Sequence, residues 1–464
     1  MGLLIKGGEI VTAESRLKSD VFIEDETISA IGIGLAVPPG TEVIDAAGKL
    51  VFPGFIDPHV HIHLPSMGTF AKENHAAASA AALIGGTTTF IEMASPSRED
   101  DSLETYYTWK QKAEGNSACD YAFHVGVARY DAKTEAQLTE VVKDGTTSFK
   151  IFLAYKNFLG VDDEEMFHTL KLAAKLGVIT TAHCENAELV SQLQQLLLDE
   201  GKIGPEWHEP SRPEAVEAEG TTRFATFVEQ TGATGYVVHL SCAPALRAAV
   251  EAKMRGVRLH IESVLPHFLL DKSYAERAGV EGMKLIMSPP LRDKRNLPVL
   301  WNALKTGLIE TVGTDHCPFD AGQKLMGAKA FTQIPNGIPG IEDRVNLMYT
   351  YGVKRGGLDL HRFVDALSTR AAKLFGLYPR KGTIAVGADA DLVVYDTKYR
   401  GKISVATQHG INDYNGYEGF EIEGRPSVVM VRGHVQARDG AFVGKPGIGR
   451  LLRREPQKYP EKIS

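Results

Sequence analysis

Four cysteines in 464 residues are too few and too scattered for a disulfide framework. Cys119, Cys184, Cys242 and Cys317 show no zinc-ribbon spacing either, so a reducing compartment is expected. No apolar run is long enough to span a bilayer. Positive charge is not in excess. Lys and Arg number 51 against 58 Asp and Glu, a formal net charge of −7, which removes the electrostatic reason to expect nucleic acid or an anionic membrane as partner. Internal repeats and low-complexity segments are lacking. The opening MGLLIKGGEIVTAE has no basic segment followed by an apolar run, and Lys6 stands where a myristoylation signal has a small hydroxyl residue. A cytoplasmic location is the expectation.

What is present is an ordinary globular balance, 43% hydrophobic and 23% charged. The length calls for a main domain with an accessory one. LLIKGGEIV, DVFIEDETISAI and TEVIDAAGKLVFPG alternate apolar and polar residues between Gly, Asp and Pro, as small antiparallel strands do. The texture returns in GADADLVVYD and PSVVMVRGHVQARDG. Residues 1–53 and 376–440 are therefore expected to meet in one small β domain, a β-sandwich.

Between them eight apolar stretches read as strands: GFIDPHVHI (54–62), TTTFIEM (87–93), YAFHVGVA (121–128), SFKIFLA (148–154), GVITTAH (177–183), GYVVHLS (235–241), VRLHIESV (257–264) and ETVGTDH (310–316). Stretches such as DEEMFHTLKLAAKLG and ALRAAVEAKMRG recur at helical spacing between them. Eight buried strands alternating with helices predict an α/β fold, a parallel (β/α)8 TIM barrel over 54–375, rather than a doubly wound sheet. Residues 441–464 end in GRLLRREPQKYPEKIS, read either as a solvated tail or as a subunit contact.

His59 and His61 lie two apart on a strand, so both imidazoles share a face and can chelate a divalent ion. Alone, such a pair is as readily two incidental histidines. His183, His239 and Asp315 close or nearly close three other strands, at the end where barrel enzymes build their sites. Packing does not account for four histidines and an aspartate on one rim, and this donor set suits zinc or manganese. His63 is left outside the set, past the strand end. Lys150 sits among Phe149, Ile151, Phe152 and Leu153. An ammonium there needs a carboxylate partner or a route to the rim, or else its pKa falls until the amine is neutral and reactive.

GFIDPHVHIH, SFKIFLAY, TAHCENAELV, YVVHLSC and VGTDHCPFD, in that order, resemble the amidohydrolase superfamily. Within it, and with GPEWHEPSRPEAVEAEGT, MSPPLRDK and IPNGIPGIEDRVNL, they look like the bacterial D-hydantoinases and dihydropyrimidinases. The resemblance implies metal-dependent hydrolysis of 5-substituted hydantoins and dihydropyrimidines to N-carbamoyl amino acids, with D selectivity. It implies two divalent ions: His59, His61 and Asp315 on the more buried one, His183 and His239 on the more exposed one, with N-carboxylated Lys150 and a hydroxide bridging them. Asp315 would also move the proton, Tyr155 would donate to the developing oxyanion, and Ser288 and Asn336 would recognise the cyclic amide. Without the resemblance, Tyr155 reads as a packing residue and Ser288 and Asn336 as turn residues beside proline. Leu64, Met67, Phe152, Phe158 and Leu159 would gate the ring substituent, and relatives often carry bulkier aromatics than Ser66 and Leu159 in these loops. The family also implies a homotetramer. Allantoinase and dihydroorotase share the scaffold, but dihydroorotases commonly place an arginine where His63 stands. Non-catalytic relatives of the collapsin-response-mediator kind have lost ligands that are all filled here. Cys184, Cys242 and Cys317 read as small buried residues, since the nucleophile needs no thiol.

Overall fold

The computed structural model describes residues 2–456. Eight parallel strands form the barrel, in order Phe55–Val60, Thr87–Ala94, Asp120–Gly126, Ser148–Phe152, Ile179–His183, Thr234–Val237, Leu259–Val264 and Thr311–Gly313, each hydrogen-bonded to the next. All eight lie within or overlap the stretches read as strands. The first and last strands meet through Asp315 N–H donating to His59 O (3.0 Å) and His61 N–H donating to His316 O (2.8 Å). These closing bonds bring the His-x-His pair beside the aspartate.

Period-two alternation decides which side chains face the interior. In the fourth strand Phe149 and Ile151 join the core shared with the surrounding helices, including Met166 and Leu170. Lys150, between them, faces inward and lines the cavity at the barrel mouth. Asp163–Leu176 is a helix because its ends are specified as well as its stripe. Asp162 and Glu165 form a capping box, Gly177 closes it at φ 70°, and Met166, Leu170 and Ala173 point to the core. Burying side chains of this size contributes roughly 1.5–3 kcal/mol each.

Two of the positions expected to bind metal leave the ladder earlier than the sequence suggests. The sixth strand stops at Val237 and the eighth at Gly313, because His239 (φ 38°) and Asp315 (φ 53°) adopt left-handed backbone conformations that a strand cannot continue through.

The two chain ends meet as expected, in one nine-stranded sheet built from Gly2–Val11, Arg16–Glu24, Thr27–Gly32, Glu42–Asp45 and Leu50–Pro53 with Leu392–Lys402, Glu421–Val431, His434–Arg438 and Ala441–Phe442. It is mixed rather than antiparallel throughout: Gly2–Val11 runs parallel to Glu42–Asp45 and to Leu50–Pro53. One face (Phe52, Val393, Tyr395, Val429) packs into the barrel's outer core. The other (Ile5, Val21, Val51, Leu392, Val394, Met430) makes a core of its own.

Where barrel and sheet meet, at the N-terminal ends of the strands, buried Lys381 and Arg432 converge on Asp120. Lys381 Nζ lies 2.7 Å from Asp120 and 2.8 Å from Asp391, and Arg432 also pairs with Asp120. The expectation of a solvated tail fails for residues 449–454. Leu452 and Arg454 are buried, Leu452 N–H donates to Tyr121 O (2.7 Å), and Arg454 N–H donates to Gly145 O (2.9 Å). The segment straps the barrel floor because its backbone completes bonds left open at the third strand. Residues 457–464 of the expected tail lie outside the described residues. No helix among the described residues is long and apolar enough to cross a membrane.

Candidate active site

A cavity of about 130 Å3 opens at the C-terminal ends of the strands. His61, Lys150, His183, His239 and Asp315 line it with Tyr155, Ser288 and Asn336. Leu64, Met67, Phe152, Phe158 and Leu159 form its apolar walls. His59 lies beneath, fully buried. Every residue expected at the site is therefore brought together, and His63 is not among them: its ring packs on Phe70, 4.5 Å between centroids.

The donor atoms of His59, His61 and Asp315 all lie within 4.8 Å of one another. His59 Nε2 and His61 Nε2 approach the same Asp315 oxygen at 3.1 and 3.0 Å. Across the cavity His183 Nδ1 and His239 Nε2 are 3.0 Å apart. Burial draws the pKa values of His61, His183 and His239 below the ordinary imidazole value, so they rest in the neutral form that ligates metal. His59 differs: burial opposes its charge, but Asp315 and Glu262 outweigh that and lift it to about 9. Asp315 is held well below the usual carboxylate range, the His59 and His61 imidazoles overcoming the penalty of burial.

Several buried polar atoms here have no hydrogen-bond partner among the described residues: His61 Nδ1, His239 Nδ1 and Lys150 Nζ. Such atoms each cost free energy unless something binds them. Their convergence, together with the His-His-Asp cluster, fits a metal centre. Lys150 has no carboxylate within bonding distance among the described residues. Burial lowers its pKa to about 8, and its Nζ sits 4.7 Å from the centre of the Phe152 ring. Of the two structural readings of this lysine, neither a paired ammonium nor one reaching solvent describes it.

Three carboxylate and guanidinium groups that no sequence motif singles out hold the donors in place. Glu262 accepts from or pairs with three groups at once: His59 Nδ1 at 2.8 Å, the His239 N–H at 3.0 Å and the Tyr236 hydroxyl at 2.8 Å. Glu185 holds His183 Nε2 at 2.7 Å and is itself held by Arg212, which, despite the cost of burial, keeps the carboxyl pKa down at about 2. A carboxylate behind a ligating imidazole fixes its tautomer and raises its basicity. The available signals were a Glu inside the apolar VRLHIESV and another two residues after His183.

Tyr155 also departs from the strand, at φ 59°, and its carbonyl accepts from the N–H groups of Phe158 (3.1 Å), Leu159 (3.1 Å) and Gly160 (3.0 Å). The loop that carries the aromatic wall is thus wound around Tyr155. Four non-glycine site residues at positive φ, Met67, Tyr155, His239 and Asp315, concentrate backbone strain at the mouth, as functional sites do. All four cysteines are buried and free. Burial raises the thiol pKa values of Cys184, Cys242 and Cys317, which keeps them inert packing residues.

Comparison with known proteins agrees with this geometry. Residues 50–435 match the amidohydrolase family. A D-hydantoinase from Geobacillus stearothermophilus is 44% identical, the match covering 98% of this chain and 97% of that one. A dihydropyrimidinase from Rattus norvegicus is 37% identical over 98% and 89% of the two chains. The solved structure of a D-hydantoinase (dihydropyrimidinase) from Thermus sp. superimposes with a TM-score of 0.97 at 74% identity, covering 98% of this chain and 99% of the other. A TIM barrel with a His-His-Asp cluster at its mouth, matched over most of its length, places this chain in the amidohydrolase family.

Proposed function

We propose that this chain is a metal-dependent cyclic amide hydrolase that opens 5-substituted hydantoins and dihydropyrimidines to N-carbamoyl amino acids, with preference for the D configuration. The observation that carries the reading is the convergence of unpartnered buried donors on a small cavity walled by apolar side chains. Relatives named D-hydantoinase and dihydropyrimidinase, similar over nearly the whole chain, support the substrate class and the handedness.

His59, His61 and Asp315 would hold one divalent ion and His183 and His239 a second, zinc or manganese by donor type. Lys150, as the neutral amine, would add carbon dioxide and release a proton, giving a carbamate that would supply oxygen donors to the metal centre. When bound, the ions supply Lewis acidity and lower the pKa of water enough for hydroxide to exist near neutral pH. Asp315 takes a proton from the attacking water and returns it to the leaving ring nitrogen. Tyr155, its pKa raised by burial, stays protonated and donates to the carbonyl oxygen as charge develops there. Ser288 and Asn336 hold the ring amide through their main chain. His63 packs on Phe70 outside the cavity, which leaves no cation to match a substrate carboxylate at that position and favours an uncharged ring over dihydroorotate.

Leu64, Phe158 and Leu159 border both the cavity and an adjoining recess of about 440 Å3. Large aromatic 5-substituents fit this continuation, with Met67 and Phe152 completing the gate. The same reading assigns 54–375 to catalysis, 1–53 with 376–440 to the small β domain, and subunit contacts to the C-terminal segment 441–464, of which 441–442 and 449–454 also pack on this chain's own sheet and barrel. A cytoplasmic homotetramer completes it; the four free cysteines accord with a reducing compartment, and sedimentation tests the assembly.

The decisive assay follows metal-dependent ring opening of dihydrouracil, a D/L pair of 5-substituted hydantoins, allantoin and dihydroorotate. Chelator-sensitive turnover of dihydrouracil and the D-hydantoin is expected. Turnover of allantoin or dihydroorotate alone would keep the metal site and move the substrate. No turnover of any ring by metal-loaded protein would leave a non-catalytic scaffold.

A further inference from the structure

The wall of the cavity that carries Ser288, Asn336 and Gly337 is made of two loops, neither helical nor extended. The main chain of a loop is only as well placed as the groups that hold it. Here one direct bond joins the two, Gly337 N–H to Ile286 O at 3.0 Å. Gly337 has to be glycine: its φ is 142°, and a Cβ would sit 2.4 Å from the Cys317 carbonyl oxygen.

Among the described residues, the other hydrogen bonds that join these loops pass through one side chain. Lys324 is completely buried, and its Nζ donates to Ile286 O (2.9 Å), Pro335 O (2.7 Å) and Gly337 O (2.7 Å). Burial lowers the pKa of Lys324 to about 7. Three carbonyl acceptors in one shell nonetheless call for three N–H donors, which the ammonium has and the neutral amine lacks, and this geometry favours the charged form. No carboxylate pairs with it among the described residues, so the charge is met by carbonyl dipoles, with the Phe319 ring 5.7 Å away. Its helix, Ala321–Leu325, is fixed by a capping box between Asp320 and Gln323, and Asp320 is bridged to Lys72. The Pro335 carbonyl shares a peptide group with the Asn336 N–H, so the ammonium also strengthens that N–H as a donor.

We propose that Lys324 is a positioning residue for ring recognition, its three bonds setting the spacing of the Ile286–Ser288 and Pro335–Gly337 main chain that the ring amide spans. The inference rests on the reading that these two loops take the ring amide. It also explains why a buried cation lies behind a site for a neutral substrate: it orders backbone, not ligand.

Lys324→Met keeps the stem and removes the charge. The expected result is native metal content with a KM for dihydrouracil raised about tenfold or more, the scale of a lost charge-assisted bond, while kcat changes less than about threefold. Dissociation constants of hydantoin for the metal-free protein, read by calorimetry, should weaken in parallel. Lower thermal stability with unchanged KM and unchanged hydantoin affinity would make Lys324 a structural brace only and overturn the proposal, as would loss of metal. Should Lys324→Met not fold, Lys324→Gln, which keeps two donors, is judged on the same terms. A crystal structure of the parent protein with hydantoin separates the two readings. A ring away from Ser288 and Asn336 overturns the recognition reading itself. A ring against them, with KM unmoved in the variants, overturns only the role of Lys324.

Discussion

At the floor of the barrel Lys381 is buried with three carboxylates around it: Asp120 at 2.7 Å, Asp391 at 2.8 Å and Asp389 at 3.0 Å. At the mouth Lys150 is as deeply buried and its Nζ has no hydrogen-bond partner among the described residues. Burial pulls both ammonium groups toward neutrality. At the floor the aspartates reverse the effect and raise the pKa of Lys381, whereas at the mouth burial wins and Lys150 falls to about 8. Part of the contrast holds for the histidines. His124 has both ring nitrogens engaged, by Ser148 and Pro58, while His61 and His239 at the mouth each leave Nδ1 open. The floor spends its polar groups on each other and holds the sheet to the barrel; the mouth withholds them, and what it withholds is available for chemistry.

The comparison breaks first at Lys150. Lys150→Ala should lose metal and lower kcat/KM by more than about 10^3-fold, beyond the 10–100-fold that outer-sphere positions cost. Short carboxylic acids should restore part of both, by standing in for the carbamate. Full activity in this variant would remove the carbamate from the account. The matching change at the floor, Lys381→Met, leaves buried Asp391 without its cation and Asp120 with Arg432 alone. It should cost about 3–5 kcal/mol of stability, read as a lower urea midpoint, and leave kcat/KM at 25 °C close to that of the parent. A variant as stable as the parent would show that the floor network is not what joins the two layers.

Glu262 sharpens the contrast, because it is a paired group of the mouth. Glu262→Gln keeps the shape and weakens its hold on His59 Nδ1 and on the His239 main chain, so one substitution loosens both halves of the site. Metal affinity should fall by about 10–100-fold with the fold intact, measured by competition with a chromogenic chelator. Unchanged affinity would mean that the ladder alone places these histidines.

The eight strands were legible because buried parallel strands are apolar runs, and the residues that meet at the mouth because their side chains are chemically unusual at a strand end. The exact ends of the sixth and eighth strands were not, since His239 and Asp315 take positive φ for reasons that lie in the site and not in local propensity. Arg212 and Glu185 are 27 residues apart and meet only in the fold. Lys324 left no trace for a different reason: its partners are main-chain carbonyls, which every residue has. The mixed pairing of Gly2–Val11 and the strap 449–454 depend on backbone groups completing edges far away in sequence. Side chains chosen for chemistry are readable in sequence; backbone satisfied at long range is not.

The smallest expected effect concerns the walls, where the mouth meets solvent. Leu159 borders both the cavity and the adjoining recess, and its N–H is tied to Tyr155 O at 3.1 Å, so the backbone at this point has little room to retreat. A larger side chain here must therefore project into the junction through which a 5-substituent would pass. Leu159→Tyr should lower kcat/KM for D-phenylhydantoin by roughly tenfold relative to dihydrouracil, the scale on which an apolar pocket discriminates by size. Dihydrouracil, with nothing to place in the recess, acts as the internal reference, and metal content should stay constant. If both substrates fell together, the substitution would have disturbed Tyr155 through the loop wound around its carbonyl, and the wall would belong to the catalytic region and not to the gate. If neither fell, the substituent would leave by the more exposed side past Met67, and the recess would play no part in substrate choice.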